Sequence, residues 1–239
     1  MKAFRIGMMA AALCAAGAAA AQTTDSASFD LRIRGISAGS LVFSGVQEGA
    51  GYAVNGKLQS GGLVGMLKRV RYDAQAQGRI SKGRYVPSSY SEAADTGKRQ
   101  SQAVMGYRSG VPQVTQYQPA QKPRSYDVDP STQGGTVDPL TALYATLRDV
   151  DAGQECNRSL QIFDGRRRTE LVLGAPQATG AGVSCAGEFR RVAGYSDDDM
   201  AEKTRFPFTL TYAPIEGGRM RVVEVATDTL YGRATLTRR

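Results

Sequence analysis

The sequence contains no histidine and no tryptophan, and its cysteines are three: Cys14, Cys156 and Cys185. Without histidine a Ser-His-Asp triad is excluded, and general acid–base chemistry falls to Asp, Glu, Lys or Tyr. The two cysteines beyond the N-terminal region are too few for a four-ligand zinc centre. Past residue 21 no apolar run approaches the roughly 18 residues that a membrane-spanning helix needs. Acidic residues are the scarcer charge, 22 against 30 basic ones, for a formal net charge of +8.

What is present begins with the N-terminus. Lys2 and Arg5 precede a small-residue apolar run from Ile6 to Ala20, and Ala19-Ala20-Ala21 offers an A-x-A cleavage site before Gln22. This is the pattern of a secretory signal peptide over residues 1–21. The chain is therefore expected to be exported, and periplasmic if its source has two membranes. Leu13-Cys14 is not read as a lipidation site, because the residue before such a cysteine is small and leucine is not. In an oxidising compartment Cys156 and Cys185 predict a disulfide; two free thiols or a metal pair are the alternatives. Outside the cytoplasm a basic protein meets lipid headgroups and cell-wall polymers rather than nucleic acid. Arg166-Arg167-Arg168 follows a turn and is the candidate basic surface, with an ordinary solvated face as the plain alternative.

Residues 22–239 read as one mainly β domain. Phe29, Leu31 and Ile33 alternate with polar residues, as do Val70, Tyr72, Ala74 and Ala76, and Phe206, Phe208, Leu210 and Tyr212. Period-two alternation puts one face of a strand in a core and the other in water, which is usual for antiparallel sheets. Turn signals recur at Glu48-Gly49, Asn55-Gly56, Ser109-Gly110, Asp164-Gly165 and Gly217-Gly218. Asp164-Gly165 predicts a two-residue hairpin turn. That register sets Phe163 opposite Arg166 and Cys156 opposite Leu173, and places Cys185 in the connection after Leu173 rather than in the next strand. One amphipathic helix is signalled by Asp138 as cap, Pro139 in the first turn, and Leu140, Leu143, Tyr144 and Leu147, ending at Gly153. The stretch 113–135 reads as a long loop. Residues 62–67 read as a helical turn or a strand.

Several motifs fail on their context. Gly35-Ile36-Ser37-Ala38-Gly39 matches a nucleophile elbow, but a strand-like run follows it, so a turn or bulge between two strands is expected. Gly51 to Lys57 nearly matches a phosphate loop, but Leu58 stands where Ser or Thr must hold magnesium; two strand segments about Asn55-Gly56 are expected instead. Asp127, Asp129 and Ser131 lack the glycine of a calcium loop, and Asp197-Asp198-Asp199 reads as solvated carboxylates. No catalytic residue, metal site or cofactor is assigned. A carboxylate pair acting on glycans is the remote enzymatic alternative.

The order of several segments resembles a family of exported bacterial proteins known only as domain of unknown function 3108. They are Ile36-Ser37-Ala38-Gly39-Ser40-Leu41, Tyr52-Ala53-Val54-Asn55-Gly56, residues 62–67, Val86-Pro87-Ser88-Ser89-Tyr90, Asp138-Pro139-Leu140, Leu160 to Arg166, and Thr229 to Leu236. The resemblance implies a single strongly curved antiparallel sheet, an open barrel or spiral around one helix, similar to the periplasmic carriers that shuttle lipoproteins. It carries over no catalytic residues. The expected function is non-enzymatic, with a lipid or lipid-modified partner held in the curved sheet. Leu63, Met66 and Leu67 are the candidate ligand contacts, Met66 being adaptable to varied chains; their ordinary role would be to complete the core. A structural or protein-interaction module of the cell envelope, with a filled interior, is the alternative.

Overall fold

The structure is a computed structural model that describes residues 22–62, 65, 69–229 and 231–239. The leader, and the candidate contacts Leu63, Met66 and Leu67, lie outside the described residues. Seven long strands come first: β1 Gln22–Ile33, β2 Ile36–Glu48, β3 Gly51–Ser60, β4 Arg71–Ser81, β5 Arg84–Asp95, β6 Gln100–Arg108 and β7 Val111–Gln118. A connection with a 3₁₀ turn at Pro130–Thr132 leads to helix α1, Pro139–Leu147, and to the short β8, Val150–Asp151. Then follow β9 Ser159–Phe163, β10 Arg168–Thr179, β11 Gly182–Ala193, α2 Asp197–Glu202, β12 Arg205–Ile215, β13 Arg219–Thr229 and β14 Gly232–Arg238.

All these strands join one antiparallel sheet in the order β7-β6-β5-β4-β3-β2-β1-β14-β13-β12-β11-β10-β9, with β8 beside β13. Each half of the chain is an up-and-down meander, and the two halves meet where β1 pairs with β14, Phe29 opposite Arg238. Among the described residues β7 and β9 are the two edges, so the sheet curves but does not close by strand pairing. This is the expected open, strongly curved sheet around a helix.

Local chemistry explains the hairpins. Arg34-Gly35, Lys82-Gly83 and Ser109-Gly110 are two-residue turns with both φ angles positive, from 51° to 78°, the conformation that matches the strand twist. After Gly35 the pairing shifts from Leu31↔Gly39 to Arg32↔Ser37, which bulges Ala38. The hydrolase-like motif is thus a turn and a bulge leading into strand.

Four expectations about turns and element ends need correction. Asn55-Gly56 is no turn: both lie inside the continuous β3, Gly56 opposite Phe43 and Ala74. The Asp164 turn is longer than two residues, because Phe163 pairs with Arg168, not Arg166. Asp164 Oδ1 accepts the backbone N–H groups of Arg166 (2.9 Å) and Arg167 (2.7 Å), which holds a four-residue loop. Strand β7 runs to Gln118, so the long loop starts later than position 113. Helix α1 stops at Leu147 with Arg148 as its extended cap, well before Gly153.

The disulfide forms, with Cα atoms 5.5 Å apart, but not where the hairpin register put it. Cys185 lies in β11, paired with Leu210 of β12 and Pro176 of β10. Cys156 precedes β9 by three residues and is buried in the core with Cys185. The segment before β9 therefore leaves the plane of the sheet and crosses its inner face, which brings a cysteine two strands away within bridging range.

Candidate functional site: the half-filled interior

Helix α1 lies against the inner face of the sheet and is buried on nearly every side, from Leu140 and Thr141 to Thr146 and Leu147. Its N-terminus is fixed by Asp138, whose carboxylate accepts the Thr141 backbone N–H (2.8 Å) and the Thr141 hydroxyl (2.6 Å). Two glycines let it approach. A Cβ at Gly45 would overlap the Tyr144 ring, and one at Gly56 would lie 2.5 Å from Leu140 Cδ1. The helix therefore presses into the half of the barrel built from β1–β6.

That half is filled with aromatic side chains. Phe43 meets Tyr144 edge-on at 5.8 Å, Tyr85 meets Tyr144 at 6.2 Å, and Tyr52 meets Tyr85 at 5.0 Å. Their hydroxyls are paired. Gln47 Nε2 donates to Tyr85 (3.3 Å) and Tyr144 (3.2 Å), and Tyr52 shares a 2.9 Å hydrogen bond with Thr141. Burial pushes the Tyr144 phenol up to about 12, so it stays neutral.

The other half is not filled. Between α1 and the inner face of β9–β14 lies an apolar cavity of about 370 Å³. Ala142, Leu143 and Leu147 of α1 form one wall; Leu171 of β10, Phe189 of β11, Phe208 of β12 and Val225 of β13 form the other. Leu143, Leu171, Phe189, Phe208, Val225 and Leu236 are only partly buried, unlike the fully covered aromatics across the helix. The volume falls within the roughly 300–1,000 Å³ typical of small-molecule sites. Asp164 is the one carboxylate residue on the lining, and its Oδ1 is occupied by the β9–β10 turn.

A second hollow of about 730 Å³ opens beside the first and shares Phe189 and Tyr195 with it. Arg191 stacks on Tyr195 (5.0 Å) and Phe206 (5.2 Å), Arg167 on Tyr195 (5.1 Å), and Lys203 on Phe206 (5.0 Å). The cavity thus leads to a rim of cations laid on aromatic rings. The arginine run divides. Arg166 is tied to Asp127 and is nearly covered, Arg167 reaches the rim, and Arg168 donates to Gln161 (3.1 Å). Among the described residues no group of three or more His, Cys, Asp or Glu side chains is placed to hold a metal.

A family described as "protein of unknown function (DUF3108)" matches residues 28–184. The chain belongs to this family. The family match includes α1 and the strands β2, β9 and β10 that border the cavity, and ends at Ser184, before the wall strands β12–β14. No curated protein matches the sequence. Among solved structures, the chain is similar to a beta-barrel-like protein of domain of unknown function DUF1849 from Brucella abortus. The identity is 14%, the coverage 90% of this chain and 95% of that one, and the TM-score 0.48.

Sequence reasoning found the helix, the strands of the β9–β10 hairpin and the strand of Phe206 to Tyr212, but it read Arg167 only as basic surface and put the ligand contacts at Leu63, Met66 and Leu67. Tyr195 and Phe189 were missed as lining residues. The period-two pattern Phe206, Phe208, Leu210 marked a strand face but carried no sign that the space before it stays open.

Proposed function

We propose that this is an exported, non-enzymatic protein that holds the apolar chain of an amphiphile in the hollow half of its barrel, with the polar end toward the cationic side chains around Arg167. The carrying observation is the cavity of about 370 Å³ walled by partly covered leucine, valine and phenylalanine side chains. The leader-like N-terminus and the disulfide support export. The lining also offers no pair of facing carboxylates among the described residues, as a glycan-acting site would need.

Each methylene moved from water into the cavity contributes about 0.8 kcal/mol, or roughly fourfold in affinity. Affinity for a series of alkyl maltosides should therefore climb with chain length and stop climbing once the cavity is filled. Leu143→Trp fills the cavity from the helix side. It is expected to abolish the thermal shift given by dodecyl maltoside while leaving the ligand-free melting temperature equal or higher. Native mass spectrometry of protein taken from its own compartment should show a bound amphiphile. Protein that arrives empty, and that no alkyl maltoside stabilises, would refute the reading.

A further inference from the structure

The connection from β7 to α1 folds against the β9–β10 turn and frames a third concavity, of about 500 Å³, on the open side of the barrel. Its walls carry five cationic side chains: Arg99, Lys122, Arg124, Arg166 and Arg167. Two carboxylates are near and both are engaged. Asp164 serves the turn through the N–H groups of Arg166 and Arg167. Asp127 is bound by Arg166, lies 3.4 Å from Arg124 Nε, and accepts the Arg124 backbone N–H (2.8 Å). Arg99, Lys122 and Arg167 form no ion pair among the described residues. The Nε of Arg167 is also buried without a hydrogen-bond acceptor or an ion-pair partner among the described residues. A buried donor left unmatched costs about 1–3 kcal/mol, more when charged, so this donor beside a basic hollow calls for an acceptor. Arg167 is held in place by the Tyr195 ring beneath it.

We propose that this concavity binds a phosphate-class anion, a phosphate ester or a diphosphate. Guanidinium groups match tetrahedral oxyanions with paired N–H donors, and an ammonium adds a point charge. Unpaired cations converging on one hollow also concentrate the local potential. Two sources share this chemistry. One is the head of an amphiphile whose chain lies in the apolar cavity, since Asp164 borders both spaces. The other is a free phosphorylated solute.

Titration calorimetry of the mature chain with inorganic pyrophosphate at low salt tests the site alone. Saturable one-to-one binding that weakens as salt rises is expected. Arg167→Gln, and separately the exposed pair Arg99→Gln with Lys122→Gln, should each weaken it by at least about tenfold. Arg239→Gln, a distant exposed arginine bound to Asp30, should leave it unchanged. No saturable binding, or an equal loss with Arg239→Gln, would overturn the proposal. Dodecyl phosphate then separates the sources. Binding about tenfold tighter than both pyrophosphate and dodecyl maltoside assigns a lipid head; binding no tighter than inorganic phosphate assigns a free solute. Because dodecyl maltoside tests the cavity and pyrophosphate tests the basic hollow, either site can fail without the other.

Discussion

At the scale of single residues, two glycines decide how the interior is divided. Gly45 and Gly56 lie on adjacent strands, and the space above them is taken by Tyr144 and Leu140 of the helix. Tyr144 is fully buried and its hydroxyl is held by Gln47, so the ring has little freedom to retreat. Gly45→Ala is therefore expected to cost about 1–3 kcal/mol by overpacking, read as a lowered urea midpoint with an unchanged slope. An unaltered midpoint would mean that the helix can ride higher over β2. Neither glycine's role was legible in the sequence. Gly56 follows Asn55, and that pair is the strongest short signal of a hairpin. Here it records a close approach by a side chain more than eighty positions away, which no local rule can see.

At the scale of elements, helix α1 was legible because every signal for it is local: a cap, a proline in the first turn, and apolar residues at helical spacing. Its degree of burial was not, and burial makes the cap titrate unusually. Asp138 is completely buried, and desolvation pushes its carboxyl up to about 6 from an ordinary 3.8, against the two hydrogen bonds from Thr141. The folded state thus holds a proton that the unfolded chain releases between about pH 4 and 6. Stability from this group is greatest below that window and falls as pH rises through it. Asp138→Asn keeps an acceptor for the Thr141 N–H and lacks the titration. Wild type should gain on this variant by on the order of 2–3 kcal/mol between pH 6.5 and pH 4, measured by urea unfolding at each pH. A difference that stays flat with pH would show that the carboxyl is not perturbed. The β9–β10 hairpin shows the opposite balance. Its strands were legible from alternation, but its register was not, because the Asp164 side chain caps two N–H groups and lengthens the turn. That two-residue slip, together with the crossing of the segment before β9, moved Cys185 from an expected loop into β11.

At the scale of the whole molecule, the first and last described strands meet in the middle of the sheet and the gap falls mid-chain, between β7 and β9. The gap is spanned by the connection that follows β7. Gly135 N–H reaches the Gly110 carbonyl (3.1 Å), and Val137 forms a parallel bridge with Ile162 through bonds of 2.9 Å to Gln161 and Phe163. Val128 N–H bonds the Arg166 carbonyl (3.1 Å), and Tyr117 donates to the Asp164 carbonyl (3.3 Å). The Arg166 guanidinium joins these contacts by gripping Asp127 and the Lys122 carbonyl. Burial works against the Asp127 charge, yet the bonds from Arg166 and the Arg124 N–H still hold its carboxyl below the usual range, so the pair is ionised at neutral pH. A basic run read as surface is thus partly a clasp: the two halves of the latch are 39 positions apart in sequence, and only the curvature of the sheet brings them together. Arg166→Met keeps most of the side-chain volume and removes the grip. The expected result is a loss of about 1–3 kcal/mol, with faster amide hydrogen exchange confined to the 119–137 connection and β9. The β1–β14 junction, remote from the gap, should keep its protection. Uniform loss of protection over the sheet would mean that the gap is not a separate unit and that the barrel opens only by unfolding.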